Sequence, residues 1–341
     1  MTGTRFAGTL VACLLLGCIA SDAVARTREA VLARGTLSCG VVVEQEDFTK
    51  ADTHGDLSGF SSAICGAVAA AVVGDASKVR LQGFPDDAHG IASLRAGGIA
   101  LLVGTTPEAT SALLNRLRFS PTLFVDGQGF LVRRDLHARA PADLRGKLVC
   151  YLSETPADVG LQEWAARTHV AVRPHPFEET GEMEAALTTG NCDAVTAGVS
   201  LLADMRSGFH GKRDDFEILP QTITFDPYAA ATRDDDLAWT TIVSDVVTAL
   251  IEAEQDGIGH ANLEAMGRGS DPAAQRLLGP TPGLASLLGL KDGWATRAIG
   301  ASGNYGEILA ATTGPGSALN LPRGKNALWT DGGLIGTPSG P

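Results

Sequence analysis

The chain has 341 residues, 44% of them hydrophobic, so it is long enough for two medium domains and too apolar to be mainly disordered. Its formal net charge of -12, with no dense run of Lys and Arg, excludes nucleic acid and an anionic membrane surface as partners. A folded protein with another kind of ligand is therefore expected.

The first 25 residues predict a secretory signal peptide. Arg5 supplies the positive start, residues 6–20 are almost wholly apolar, and residues 23–25 (AVA) fit a signal-peptidase site. A membrane anchor is one alternative, but about 15 apolar residues fall short of the roughly 20 that span a bilayer. Lipidation at Cys18 is a second alternative, because the residues before it loosely resemble a lipobox. Export to the periplasm is the expectation.

Strand-like apolar runs alternate with helical patterns from residue 37 onward, which is typical of parallel α/β units. The first set predicts strands over 37–43, 79–84 and 99–104 and helices over 59–73 and 90–96. An extended crossover follows at 126–130. One α/β lobe is therefore predicted before this crossover.

The pattern restarts after the crossover and predicts a second lobe. Its elements are strands at 148–152 and around Val170 and Ala194, and helices over 158–168 and 182–188. Residues 216–232 are again extended and lead into the longest helical pattern, 237–255, which carries the chain back into the first lobe. Two crossings between two lobes predict a hinge, with a ligand in the cleft between them.

Four cysteines remain after the signal: Cys39, Cys65, Cys150 and Cys192. An even number suits an oxidising compartment, and four cysteines allow three pairings. Pairing Cys39 with Cys65 and Cys150 with Cys192 is favoured because each bond then closes a loop inside one predicted lobe. Four buried free thiols are the alternative. A metal site is disfavoured, since no CxxC occurs and the histidines do not cluster around the cysteines.

Several short sequences match a known family in order along the chain. They are TLSCGVV at 36–42, GF at 59–60, AVAAAV at 67–72, GDASKV at 74–79, DGQGF at 126–130, NCD at 191–193, RLLG at 276–279, NYGEI at 304–308 and NALWT at 326–330. Through them the chain resembles the amino-acid-binding proteins of the polar amino-acid uptake ABC transporters. The resemblance implies the two-lobed α/β type II periplasmic binding fold, with residues 26–130 and 227–341 in lobe one and 131–226 in lobe two. It also matches the four-cysteine pattern and so supports the two intra-lobe disulfides.

The residues that hold an amino acid in that family are replaced here. Family members grip the ligand carboxylate with an Arg on the helix after a Thr-rich loop, and that position falls on Ser111 or Ala112. The alternative is that Arg116 or Arg118 takes this role, which needs a gap in the match close to residues 119–121. The second-lobe Asp that pairs with the ligand ammonium falls on Gly198. An anchor loop of Gly-Thr-Thr type has become residues 153–158, and a carboxylate such as Glu154 at that helix start opposes an anion. The resemblance therefore implies a ligand shifted away from ordinary amino acids, toward a cation or a hydroxyl-rich neutral solute.

The predicted cleft residues belong to the Thr-rich loop and its helix, to the second lobe and to one aromatic wall. They are Phe48, Thr105, Thr106, Glu108, Ser111, Glu154, Thr155 and Gly198. Glu108 also fits a first-turn carboxylate that stabilises its helix dipole beside Pro107. Phe48 also fits core packing, and Thr105 and Thr106 also fit ordinary turn residues.

Three functions remain open. The first is a monomeric solute-binding protein that closes on a small polar solute and docks on the membrane permease of an ABC transporter. The second is an exported accessory or sensory protein that uses the same fold to bind a protein. The third, a dehydratase-like enzyme with Glu108 or Glu154 as acid or base, is disfavoured because neither GxSxG nor HExxH occurs. No catalytic residue, metal or cofactor is predicted.

Overall fold

Two β-sheets organise the computed structural model, which describes residues 26–42, 50–51, 57–279 and 284–338. The strands in chain order are β1 (Leu37–Val42), β2 (Lys50–Ala51), β3 (Leu57–Ser58), β4 (Val79–Phe84), β5 (Leu101–Thr105), β6 (Leu117–Phe119), β7 (Phe124–Asp126), β8 (Gln128–Arg133), β9 (Leu148–Leu152), β10 (Arg173–Phe177), β11 (Ala194–Gly198), β12 (Phe216–Ile218) and β13 (Asp226–Arg233). The first sheet has the order β4-β1-β5-β13-β6, with β7 paired to β13, and the second has the order β10-β9-β11-β8-β12. A short antiparallel pair, β2 with β3, lies outside both sheets.

Helices connect and cover these strands. In chain order they are α1 (Thr27–Arg34), α2 (Phe60–Val72), α3 (Asp87–Arg95), α4 (Ala109–Asn115), α5 (Pro156–Thr168), α6 (Thr180–Thr188), α7 (Val199–Gly208), α8 (Leu237–Gln255), α9 (Leu263–Arg268), α10 (Pro272–Leu278), α11 (Leu284–Leu288), α12 (Trp294–Ser302) and α13 (Tyr305–Thr312). In the described ranges, no helix combines the length and the apolar character that crossing a bilayer needs. The predicted signal peptide, residues 1–25, lies outside them.

The first lobe is built around two strands that are buried from end to end, β1 and β5. They are parallel neighbours in the sheet, which explains why both read as unbroken apolar runs. The Ala-rich helix α2 packs on this sheet together with α8. Helix α8 begins and ends where its periodicity predicts, and the Asp236 side chain caps it by accepting the N–H of Trp239 at 3.1 Å.

The second lobe combines parallel and antiparallel strands. β9 runs parallel to β10 and β11, whereas β8 and its edge partner β12 are antiparallel to each other, and β8 is antiparallel to β11. The chain leaves the first sheet after Asp126 and enters the second at Gln128, so residues 128–130 pair in the second sheet. The two-lobed α/β fold is thus present, and its residue boundaries stay a prediction.

Two predicted elements begin elsewhere than their patterns indicate. The helix expected from residue 90 starts at Asp87, because the Asp86 side chain caps it by accepting the N–H of His89 at 2.8 Å. The strand expected around Val170 lies at Arg173–Phe177 instead. It is an edge strand that contains Pro174 and Pro176, and proline is tolerated at a sheet edge, where half of the N–H groups have no partner.

Each lobe contains one disulfide. Cys39 bonds to Cys65, joining β1 to α2, and Cys150 bonds to Cys192, joining β9 to the residue pair before β11. All four cysteines are buried. Both bonds therefore lie inside a lobe, and neither crosses the hinge.

The lobes are joined by β7 and β13 and by a segment near the C-terminus. Asp126 on β7 lies opposite Asp226 on β13 in an antiparallel pair. Residues 313–326, here called the C-terminal strap, then pass from α13 onto the second lobe, where Leu319 and Leu321 pack against Ala203 of α7. The strap returns to the first lobe at Asn326, whose side chain bonds both the N–H (2.7 Å) and the C=O (2.9 Å) of Val125.

Candidate functional site

A cavity of about 420 Å³ lies in the first lobe between α3, α4 and the end of β5. It is lined by four of the predicted cleft residues, Thr105, Thr106, Glu108 and Ser111. Ligands of open α/β sheets bind outside the carboxyl ends of the strands, and β5 ends at this cavity with Thr105. Glu108 is the N-cap residue of α4, and its side chain makes no capping hydrogen bond.

Asp87 also lines this cavity and carries its most unusual electrostatics. Burial raises the pKa of the Asp87 carboxyl, while the Thr105 hydroxyl and the Thr106 backbone N–H lower it again in part, and the negative charges of Asp86 and Glu108 add to the rise. The Thr105 hydroxyl lies close enough to Asp87 to favour the ionised form of its carboxyl, but the two groups do not complete a hydrogen bond. Within the described part of the chain, neither Asp87 Oδ1 nor Thr105 Oγ1 has a hydrogen-bond partner, although both atoms are buried.

The opposite end of the same cavity carries a positive charge. Arg95 is the last residue of α3, and its guanidinium donates to Asn115 Oδ1 of α4 at 3.3 Å. Asp87 and Arg95 are separated by eight residues of helix, which places their backbones about 12 Å apart along its axis. The cavity therefore offers carboxylates at one end and a guanidinium at the other.

Asp87 is the residue that sequence analysis missed. A helix predicted from residue 90 leaves Asp86 and Asp87 together in the preceding loop, where two adjacent carboxylates look like solvated surface. The Asp86-Asp87 pair was the sequence signal that could have found it. Asp is a preferred N-cap residue, so Asp86 predicts a helix that starts directly after it, with Asp87 in the first turn.

The second-lobe residues Glu154 and Thr155 lie at the start of α5 and do not line the first-lobe cavity. The Thr155 hydroxyl donates to the Leu152 carbonyl at 2.7 Å, and Thr155 is the N-cap residue of α5. Glu154 is exposed and has a φ of 59°, a left-handed conformation that residues other than Gly rarely adopt. Glu154 thus has a left-handed backbone in the loop where the family resemblance implies a Gly.

Replacing Glu154 with Gly is expected to raise the free energy of unfolding by up to about 1 kcal/mol. The left-handed conformation costs a residue with a side chain roughly 1–2 kcal/mol, and the extra freedom of Gly in the unfolded chain offsets part of this gain. Urea denaturation of the Glu154→Gly protein measures the change. The control is Glu163→Gly, in the exposed interior of α5, which should cost about 1 kcal/mol; equal losses in both variants would contradict the account.

Gly198 lies at the hinge, at the N-cap of α7. A Cβ atom on it would approach Asp126 Oδ2 to 3.0 Å. The buried Asp126 carboxylate already occupies this helix start, where it accepts hydrogen bonds from the Val199 N–H and the Ser200 hydroxyl. Burial raises the pKa of Asp126, with a contribution from the charge of Asp226. The place of the lost second-lobe Asp is thus beside a carboxylate that belongs to the hinge.

The structure brings four of the eight predicted cleft residues to one cavity and leaves three elsewhere. Phe48 lies outside the described residues. In the described ranges, no group of three or more His, Cys, Asp or Glu side chains is arranged to hold a metal ion.

Comparison with known proteins places these features in a family. No protein-family model matches the chain. It is 36% identical over 327 residues to the general L-amino acid-binding periplasmic protein AapJ of Rhizobium johnstonii, covering 94% of each chain. It is 34% identical over 326 residues to the glutamate/glutamine/aspartate/asparagine-binding protein BztA of Rhodobacter capsulatus, covering 95% of this chain and 96% of the relative.

A solved structure agrees with the curated relatives. The ABC transporter periplasmic binding protein of Brucella ovis, solved with glutathione bound, superposes with a TM-score of 0.78 at 32% identity, covering 91% of this chain and 97% of the other. The two-lobed fold, the order of the matching motifs and the identity over nearly the whole length agree with one another. The chain belongs to the family of amino-acid-binding periplasmic proteins that serve as solute-binding components of ABC transporters.

Proposed function

We propose that this chain is exported to the periplasm and works there as a monomeric receptor, which delivers a small polar solute to a membrane permease. The relatives are periplasmic binding proteins, and the predicted signal peptide supports export. In this proposal the chain acts by hinge closure and not by turnover: the solute binds in the first-lobe cavity, and the second lobe completes the contacts that stabilise the closed state.

The solute that we propose carries an ammonium group, which binds at Asp87 and Thr105. The observation that carries this proposal is the pair of buried oxygens, Asp87 Oδ1 and Thr105 Oγ1, that lack partners in the described chain. A buried polar group without a hydrogen bond costs about 1–3 kcal/mol, and more when it is charged. An ammonium group brings three N–H donors and a positive charge, so it satisfies both oxygens and the nearby Glu108.

An ordinary α-amino acid fits this cavity poorly. Its carboxylate is separated from its ammonium by a single carbon atom, so the carboxylate would lie near Asp87 and Glu108. The family Arg that would offset this repulsion falls on Ser111 or Ala112, and the Ser111 hydroxyl accepts a hydrogen bond from Asn115 at 3.2 Å. The acidic end of the cavity therefore disfavours a carboxylate next to the bound ammonium.

A longer zwitterion fits better. With Asp87 and Arg95 about 12 Å apart along α3, an ammonium and a carboxylate can bind at opposite ends of the cavity only if several bonds separate them. A peptide-sized solute satisfies this spacing. The Brucella ovis relative, solved with glutathione, supports a solute of this size for the present chain.

Replacing Ser111 with Arg tests the proposal by restoring the family cation. We expect Ser111→Arg to weaken binding of an ammonium-bearing peptide at least about tenfold, because the new charge opposes the ammonium beside Asp87. Thr110→Arg is the matched control, since Thr110 lies on the same helix, is exposed and does not line the cavity. Calorimetric titration with glutathione measures both; equal affinity in the two variants would contradict the proposed position of the ammonium.

A protein partner is the second candidate, because α4 presents two apolar side chains to solvent. Leu113 is 80% exposed and Leu114 is 71% exposed. Exposed neighbouring leucines are typical of a contact surface. A chain that binds no small solute but co-purifies with one protein, and loses it on Leu113→Ser with Leu114→Ser, would favour this function.

A further inference from the structure

A second cavity, of about 230 Å³, lies behind the hinge, where β7, α7 and the C-terminal strap meet. Its walls are mainly apolar, with Phe124 from the first lobe, Val199 and Leu219 from the second, and Leu321 from the strap. Arg206 of α7 also lines it. The cavity is therefore in contact with both lobes and is separate from the candidate site at Asp87.

Two arginines converge beside this cavity. Arg206 Nη2 donates to the Leu319 carbonyl oxygen of the strap at 3.1 Å, and Arg213 Nη2 reaches the same oxygen at 3.4 Å. Both side chains are half-buried. The Nε of Arg206 is buried and has no partner among the described residues. The Leu319 carbonyl thus accepts hydrogen bonds from two guanidinium groups, whereas the Arg206 Nε–H beside it has no acceptor among the described residues.

The charges around these arginines are mostly positive. Burial lowers the pKa of Arg206, and the charges of Arg213 and Arg134 lower it further, while Asp214 partly offsets them. The structure pairs neither Arg206 nor Arg213 with a carboxylate within the described ranges. Arg134 is paired with Glu217 at 3.3 Å.

The other charged walls of the cavity are already engaged. Asp126 accepts bonds from the start of α7, Arg323 pairs with Glu254 at 2.7 Å, and Lys325 Nζ donates to the Thr222 hydroxyl at 2.6 Å. In a chain with a net charge of -12, the unpaired guanidinium pair is a local excess of positive charge. Converging arginines bind carboxylate and phosphate oxygens through paired N–H donors.

We propose that Arg206 and Arg213 bind a small oxyanion, a carboxylate or a phosphate, at the edge of this hinge cavity. The anion accepts from Arg206 Nε and from those guanidinium N–H groups that do not donate to the Leu319 carbonyl. Bound there, it offsets the charge of the two arginines that hold the strap to α7, while Asn326 holds the end of the strap to Val125 of the first lobe. An anion that binds one hinge conformation more tightly shifts the balance between open and closed forms.

Titration of the exported protein in chloride buffer, without any cleft solute, tests this site. Inorganic phosphate and succinate are the two probes, and the readouts are calorimetry and the thermal midpoint. We expect saturable stabilisation by at least one of them, with affinity reduced about tenfold or more by Arg206→Gln and by Arg213→Gln. The probe that binds tells a phosphate site from a carboxylate site.

Arg145→Gln is the matched control, because Arg145 also lies in the second lobe and donates to one carbonyl, that of His169 at 2.9 Å, but lines no part of this cavity. It should leave anion binding unchanged. If Arg206→Gln does not fold, two other variants still test anion binding at this site. They are Arg213→Gln and Arg206→Lys, of which the second keeps the charge and removes Nε. Equal anion binding in all variants, or none by the unaltered protein, would overturn the proposal and leave the cleft function untouched.

Discussion

Replacing Asp87 with Asn is expected to make the ligand-free protein more stable and, at the same time, to weaken solute binding at least about 30-fold. Removing one partner of a buried, hydrogen-bonded charge pair costs about 2–5 kcal/mol of binding. In the ligand-free protein that partner is absent, and the carboxylate is buried with one oxygen unsatisfied. Asn keeps the shape of the side chain and removes the charge, so the unfolding midpoint should rise.

The Asp87→Asn protein should also differ from the unaltered protein in how its stability depends on pH. Because the pKa of Asp87 is raised above its usual 3.8 in the folded protein, folding favours its protonated form. The stability that protonated Asp87 contributes is therefore complete at a pH below its pKa in the unfolded chain. It is lost as the pH rises through its pKa in the folded protein. Thermal midpoints measured from pH 3.5 upward should show this loss in the unaltered protein and not in Asp87→Asn.

Asp86→Asn is the matched control for both measurements. Asp86 precedes Asp87, its side chain is 42% exposed, and it caps α3; Asn caps a helix about as well as Asp. We therefore expect unchanged solute binding, and a loss of stability with rising pH that persists but is smaller, because the Asp86 charge adds to the rise in the pKa of Asp87. A drop in the midpoint of Asp87→Asn, with binding retained, would mean that Asp87 is a structural residue of α3 and not a ligand contact.

Replacing Cys150 and Cys192 together with Ser is expected to lower the free energy of unfolding by about 4 kcal/mol. The bond closes a loop between residues 42 positions apart, and the chain-entropy relation gives this value for such a loop. The loop contains β9, α5, β10 and α6, so the loss should fall on the second lobe. Urea denaturation measures the loss, and backbone amide hydrogen exchange of β9, α5 and β11 shows whether it falls on that lobe.

The Cys39 and Cys65 pair provides the comparison for this prediction. Its loop spans 26 positions, for which the same relation gives a cost of about 3.6 kcal/mol, and its loss should fall on the first lobe. A Cys150→Ser, Cys192→Ser protein with an unchanged midpoint would contradict this loop-closure explanation.

The elements that sequence patterns predicted well are those with a local cause. Helix α8 follows from apolar residues at three and four residue spacing, and β1 and β9 follow from short apolar runs. The pairing of the cysteines follows from the order of the two lobes. Local pattern failed at β10, an edge strand that contains Pro174 and Pro176, and at α3, where the cap residue Asp86 is followed by a second Asp in the first turn.

The candidate site was only half predictable. Thr105, Thr106, Glu108 and Ser111 follow one another along the chain, so the resemblance of one loop found all four. Asp87 reaches the same cavity from another helix, and the strap reaches α7 from more than 100 residues away. Such contacts depend on the tertiary fold, and no local spacing in the sequence reports them.

Calorimetric titration of the exported protein with glutathione, related short peptides, polyamines and the ordinary α-amino acids tests the central claim most directly. We predict that an ammonium-bearing solute longer than an α-amino acid binds, that Asp87→Asn weakens this binding at least about 30-fold, and that free α-amino acids bind weakly or not at all. At 100 times its Kd, such a solute should stabilise the fold by about 2.7 kcal/mol. Tight binding of ordinary α-amino acids that survives Asp87→Asn would contradict the account and place the chain among conventional amino-acid receptors.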